Sequence, residues 1–166
     1  MGGRFQGATA VLLALLLEPR AGGVLPSPGR ESEQDLVSHV ERERNPVKKA
    51  KYEIRLARLK LLQAINAYSQ GNVQGGQELL QAYRARVRNS WETLRASGRK
   101  AVRQPQGFRE LEIALREERR FLEDLERHVS YADRDAVKQA RREVDDIRNE
   151  VIRALFPRDK LKGSEG

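Results

Sequence analysis

Apolar residues recur along this chain at helical spacing, and the clearest stretch runs from Phe108 to Phe156. Phe108, Leu111, Leu115, Leu122, Leu125 and Val129 fall at steps of three, four, seven, three and four, and Val137, Ala140, Val144, Ile147, Val151 and Ala154 repeat the rhythm. Such spacing lines up one face of a helix. Only Ser130-Tyr131-Ala132-Asp133 separates the stripes, so the pattern predicts an antiparallel hairpin. Its first helix spans Phe108–Val129; its second is capped by Asp133 and ends near Phe156-Pro157. Glu118 breaks the stripe, and is expected either to partner an inward arginine or to lie at the edge of the contact.

Upstream, a polar helix is expected from Glu31, with Leu36, Val37 and Val40 as its stripe. Asn45-Pro46 starts a stronger one, because asparagine caps well and proline suits the first helical position. That helix reaches Ser69 on Val47, Ala50, Ile54, Ala57, Leu61, Ile65 and Tyr68, with Leu59 and Leu62 widening the stripe. Gly71-Asn72 stops it, glycine supplying a left-handed residue. The next helix runs from Val73 or Gln74 to Ala96 and buries Leu79, Leu80, Tyr83, Val87, Trp91 and Leu94. Gly75 and Gly76 weaken its start but let the preceding helix approach closely. Ser97–Gly107, with Gly98, Pro105 and Gly107, is the main break. The fold expected is all-α: an antiparallel bundle of about four helices, as two helical hairpins, over residues 31–157. Tyr83 and Trp91 are expected to cross between the hairpins, and the stripes can also pair with a second copy in a homodimer.

Composition supports helices over sheets. Of 166 residues, 39% are hydrophobic, 5% aromatic and 34% charged, without the β-branched and aromatic runs that strands favour. No cysteine is present, which excludes disulfides, thiolate metal sites and thiol nucleophiles.

The N-terminal segment changes the picture of where the chain works. Residues 1–10 are acid-free and carry Arg4, Ala8–Leu17 is almost wholly apolar, and Ala21-Gly22-Gly23 offers a small-residue exit. These are the parts of a secretory signal peptide, and the apolar core is far short of the roughly twenty residues that span a bilayer. Residues 1–23 are therefore expected to be a leader cleaved after Gly23, residues 24–30 a disordered lead-in, and residues 158–166 a charged flexible tail. The protein is expected to be exported, to the periplasm or beyond.

Candidate chemistry is sparse. His39 and His128 are the two histidines; Asp124 and His128 share a helical face, but two ligands fall short of a typical metal site. The carboxylates lack the Glu-x-x-His spacing of a carboxylate-bridged metal bundle. They alternate with arginines in the pattern of a solvated helix laced with ion pairs. With no phosphate loop, triad or nucleotide fingerprint, the expectation is a non-enzyme with no cofactor and no metal.

Charge is the feature above background. Residues 24–107 hold 16 basic and 8 acidic side chains, whereas residues 108–166 hold 14 and 15. A one-signed field attracts polyanions. The candidate anionic-partner surface is Lys48, Lys49, Lys51, Arg55, Arg58, Arg84, Arg86, Arg88, Arg99, Lys100 and Arg103. The hairpin from Phe108, nearly neutral, reads as scaffold. A protein or anionic envelope partner fits the expected compartment; nucleic acid fits poorly, and a nucleic-acid binder is the reading only if the leader stays uncleaved. A periplasmic holdase or stress-type chaperone is the alternative.

Two resemblances accompany this reading. The run Tyr68-Ser69-Gln70-Gly71-Asn72-Val73-Gln74-Gly75-Gly76, with Leu80 after it, resembles the turn of a tetratricopeptide repeat, and implies a local helix-turn-helix. It covers one hairpin, has Tyr83 where a small residue belongs, and has no second copy about 34 residues away. The chain as a whole, especially Gly107-Phe108 through Leu155-Phe156, is similar to small uncharacterised exported helical proteins of bacteria, which implies export and a helical fold.

Overall fold

A computed structural model describes residues 31–157, in which all regular structure is helical. The helices are α1 (Glu33–Arg42), α2 (Pro46–Ser69), α3 (Val73–Ala96), α4 (Phe108–His128) and α5 (Arg134–Leu155), with a 3₁₀ turn at Tyr131–Asp133 before α5. Residues 1–30 and 158–166, on which the expected leader, lead-in and tail fall, lie outside the described residues.

Local signals set most boundaries. The Ser32 hydroxyl accepts from the Asp35 N–H at 3.1 Å, and the Asp35 carboxylate accepts from the Ser32 N–H at 3.1 Å. This reciprocal box satisfies two orphan donors of α1. The Asn45 side chain accepts from the N–H groups of Val47 and Lys48, and Pro46, at the first helical position, has no N–H to satisfy. Gly71, at φ +77°, turns the chain after α2, and the Asn72 side chain caps α3 by accepting from the Gly75 N–H at 3.0 Å.

Gly76 is what lets α2 and α3 close on each other. A Cβ there would stand 2.7 Å from the Tyr68 ring, inside van der Waals contact. Gly107 has two reasons to be glycine: its φ is +88°, and a Cβ would stand 2.7 Å from Leu94. One expected cap is different. Asp133 occupies the position before α5 but makes no side-chain cap bond; its carboxylate instead accepts from the Ser130 hydroxyl at 2.5 Å, holding the 3₁₀ turn.

The pairs α2–α3 and α4–α5 are antiparallel hairpins. Cross-links show how they lie together: Arg58 meets Glu117 between α2 and α4, and Arg84 meets Glu143 between α3 and α5. So α2 lies beside α4 and α3 beside α5, each pair parallel, with α3 and α4 on a diagonal. Residues 97–107 therefore cross one end of the bundle, anchored by buried Ala101. We call this the crossover end; the turns at Gln70–Asn72 and Ser130–Asp133 mark the turn end. One core runs between the hairpins, with Leu61, Tyr83, Leu94, Leu111, Leu115, Leu122, Val137, Val144 and Val151 essentially sealed from solvent.

The expected four-helix arrangement is thus completed by a fifth helix. α1 lies antiparallel on α2, with Leu36 and Val40 buried and His39 stacked on Tyr52 at 4.7 Å. Its Glu33 carboxylate takes Lys60 and accepts from Gln63 at 3.0 Å. This corrects the reading of α2. Leu56, absent from the expected stripe, is fully buried on the side that α1 covers, whereas Leu62, expected to widen the stripe, is 44% exposed. The second neighbour of α2 lies on the Tyr52–Leu56–Lys60–Gln63 face.

Candidate functional site

The eleven expected anion-binding cations are divided by the fold. Arg55 pairs with Glu31 at 2.5 Å, Arg58 with Glu117 at 2.9 Å, Arg84 with Glu143 at 2.5 Å and Arg86 with Glu53 at 3.2 Å; Arg88 also pairs with Glu143. Burial works against the Glu143 charge, but Arg84 and Arg88 overcome it and hold the carboxyl below its ordinary range. These five guanidiniums belong to the packing between helices.

Lys48, Lys49, Lys51, Arg99, Lys100 and Arg103 make no ion pair among the described residues. The lysines lie on the first turns of α2, and Arg99, Lys100 and Arg103 on the crossover segment. The close approach of Gly107 to Val47 and Leu94 brings these elements to the same end. Arg44, Arg95 and Arg109, outside the expected set, are exposed there as well. Carboxylates stand among them: Glu41, Glu53 and Glu92 share a surface pocket with Lys49, and Glu110 shares one with Lys48 and Lys51, although Glu110 is already engaged, accepting from the Gly107 N–H at 2.5 Å. The crossover end therefore carries a positive excess that the charge count attributed to the whole N-terminal half.

The hairpin from Phe108 joins the rest through polar groups as well as leucines. Trp91 donates through Nε1 to Glu150 at 2.7 Å and stands edge-on to Phe108, with ring centres 6.2 Å apart. Tyr83, fully buried, donates its hydroxyl to Glu118 at 3.0 Å. Both aromatics cross between hairpins, as expected. Glu118 departs from both expected roles: it is 1% exposed and its partner is a tyrosine. Burial pushes its carboxyl up to about 7, against the lowering effects of the Tyr83 hydrogen bond and the Arg58 charge. Its Oε1 is buried without a partner. Glu53, 3% exposed, is a second buried carboxylate, held by Arg86. Sequence reading missed it because it sits on the α2 face that α1 covers.

The ion pairs of α4 and α5 lie both within the helices and between them. Arg148 meets Glu112 at 2.8 Å, Arg119 meets Asp145 at 2.9 Å and Arg141 meets Glu126 at 3.1 Å. These run between the two helices and fix their register, while the expected lacing within a helix occurs at Arg119–Glu123 (3.0 Å), Arg127–Asp124 and Lys138–Asp135. The His128 ring lies 2.7 Å from the Asp124 main-chain oxygen, and the Asp124 carboxylate pairs with Arg127. No group of three or more potential metal ligands occurs among the described residues, and no described helix is long and apolar enough to cross a membrane. Comparison of the chain with family models, with curated proteins and with solved structures gives no match in any of the three.

Proposed function

We propose that this chain is an exported, non-catalytic binding module that presents the crossover end of its bundle to an anionic partner, a polyanionic envelope surface or an acidic protein. The observation that carries the reading is the sorting of the cations. Of the eleven expected cations, five pair with carboxylates, and the six that make no ion pair among the described residues, Lys48, Lys49, Lys51, Arg99, Lys100 and Arg103, lie at one end. A surface with an excess of one sign concentrates anions, an attraction that weakens as salt rises. The leader-like segment, with its apolar Ala8–Leu17, supports export.

The test pairs a binding assay with a processing assay. The full chain is sedimented with vesicles of anionic and of neutral phospholipid and with an acidic polymer, over rising salt. Binding to the anionic probes that fades with salt, and that is lost in a Lys48→Gln, Lys51→Gln, Lys100→Gln, Arg103→Gln variant, is expected. Binding that ignores salt or survives those substitutions overturns the reading. N-terminal sequencing of the protein from its native cells should begin at Val24; an intact Met1 overturns export.

A further inference from the structure

The turn end, opposite the basic end, holds a cavity of about 580 Å³ between the last turns of α2 and α4, the start of α3 and the Ser130–Asp133 turn. That falls within the size of small-molecule sites, about 300–1,000 Å³. Ile65, Tyr68, Val73, Phe121, Leu125 and Val129 form an apolar wall. Besides Tyr68, its titratable lining groups are Asp124, Asp133 and His128, and no lysine or arginine lines it.

Two polar groups there are incompletely served. The Tyr68 hydroxyl is buried without a hydrogen-bond partner, and buried hydroxyls rarely go unpaired. Burial and the charge of Asp133 raise its pKa, so it stays a neutral phenol with its oxygen lone pairs unused. The Asp133 carboxylate accepts from Ser130 at 2.5 Å and from Gln77 at 3.5 Å, both neutral, and has no ion pair among the described residues. Asp124, in contrast, already has Arg127.

We propose that this cavity is a binding site for a small apolar ammonium compound, whose alkyl or aryl-alkyl body lies against the apolar wall while its nitrogen donates to the Asp133 carboxylate and the Tyr68 hydroxyl. An ammonium has three donors and no acceptor, which complements one acceptor that lacks a charged partner and one that lacks any partner. An anion would meet two aspartates, with only the His128 imidazole to offset them. A neutral hydrocarbon would leave Tyr68 unpaired and Asp133 uncompensated.

Calorimetric titration of the full chain with n-hexylammonium, n-hexanol and n-hexanoate tests this. The tail is constant and only the head changes. One site is expected, binding hexylammonium roughly tenfold or more tightly than hexanol, the size of a charge-assisted hydrogen bond, with hexanoate weakest. Asp133→Asn, whose side chain can still accept from Ser130, should reduce hexylammonium to the level of hexanol and leave hexanol unchanged. Val73→Trp, at a partly exposed wall position, should block all three. Equal affinity for the amine and the alcohol, indifference to Asp133→Asn, or no saturable binding overturns the proposal. So does concentration-dependent dimerisation that Tyr131→Ala abolishes, because Tyr131, 87% exposed beside the cavity, would then fill it from a second copy.

Discussion

Replacing Glu118 with glutamine isolates the cost of holding a carboxylate at the centre of this bundle. In the folded protein the carboxyl ionises at about 7, against an ordinary 4.5, because burial outweighs the Tyr83 hydrogen bond and the Arg58 charge. The unfolded chain gives up the same proton near the ordinary value. Between the two the folded state binds more protons, so stability is highest at low pH and falls as pH rises through that window. At about 1.36 kcal/mol per pH unit the full effect is on the order of 3 kcal/mol, most of it lost between about pH 5 and pH 8. Glutamine keeps a carbonyl for the Tyr83 hydroxyl but does not titrate. Its amide N–H₂ takes the place of an oxygen that already lacks a partner, which costs about 1–2 kcal/mol at every pH. The diagnostic quantity is therefore the pH slope. Urea unfolding followed by helical circular dichroism from pH 5 to 8 should show the wild type losing stability with pH, while Glu118→Gln gains on it by about 2–3 kcal/mol over the same range. Parallel curves would refute the reasoning, since they would mean that Glu118 is ionised or solvated throughout. Tyr83→Phe supplies a second check. It removes a hydrogen bond that lowers the Glu118 pKa, so the fall in stability should extend to higher pH.

Other substitutions probe the packing. Gly76→Ala should destabilise by about 1–3 kcal/mol despite the better helix propensity of alanine, because the new Cβ meets the Tyr68 ring at 2.7 Å; a rise in melting temperature would contradict that contact. Trp91→Ala, which removes the edge-on contact with Phe108 and the bond to Glu150, should cost about 3–5 kcal/mol in urea unfolding, and a loss under 1 kcal/mol would place the tryptophan outside the core. Arg86→Met leaves Glu53 buried without its cation and should cost on the order of 2–3 kcal/mol. Most of that loss should return in the double variant with Glu53→Gln; additive losses would show that the pair is not coupled.

The parts of this fold that were legible in the sequence are those fixed by local periodicity. The stripes from Phe108 to Ala154 and from Val47 to Tyr68 are buried because residues three and four apart share a helix face, whatever the helix packs against. Caps such as Asn45 and stops such as Gly71 act within a few residues and were equally legible. Partners depend on which helices are neighbours, and that order is set by the crossover of residues 97–107. Glu118 was visible as a break in a stripe, but its meeting with Tyr83 needed α3 and α4 to lie on a diagonal. Leu56 and Glu53 were missed for a related reason. Their face of α2 becomes interior only when α1 lies on it, and α1 carries just Leu36 and Val40 as fully buried apolar residues. Asp133 was misjudged within a single turn, where Ser130 competed with the helix N–H groups for its carboxylate.

The candidate surface shows the same division. A charge count gives the sign of a region, but the useful charge is what remains after packing has taken its share. Arg84 and Arg88 look as free as Lys48 and Lys51 in the sequence, yet both arginines converge on Glu143 across the α3–α5 contact. Arg58 is doubly committed, to Glu117 and to the Phe121 ring at 5.7 Å. Such pairs between helices orient the hairpins, and partly exposed ones add only modest stability, so their main effect is to withdraw cations from the solvent-facing field. The crossover segment escapes this subtraction because residues 97–107 contain three cations and no carboxylate. The uneven field of the bundle thus follows from helix order as much as from composition.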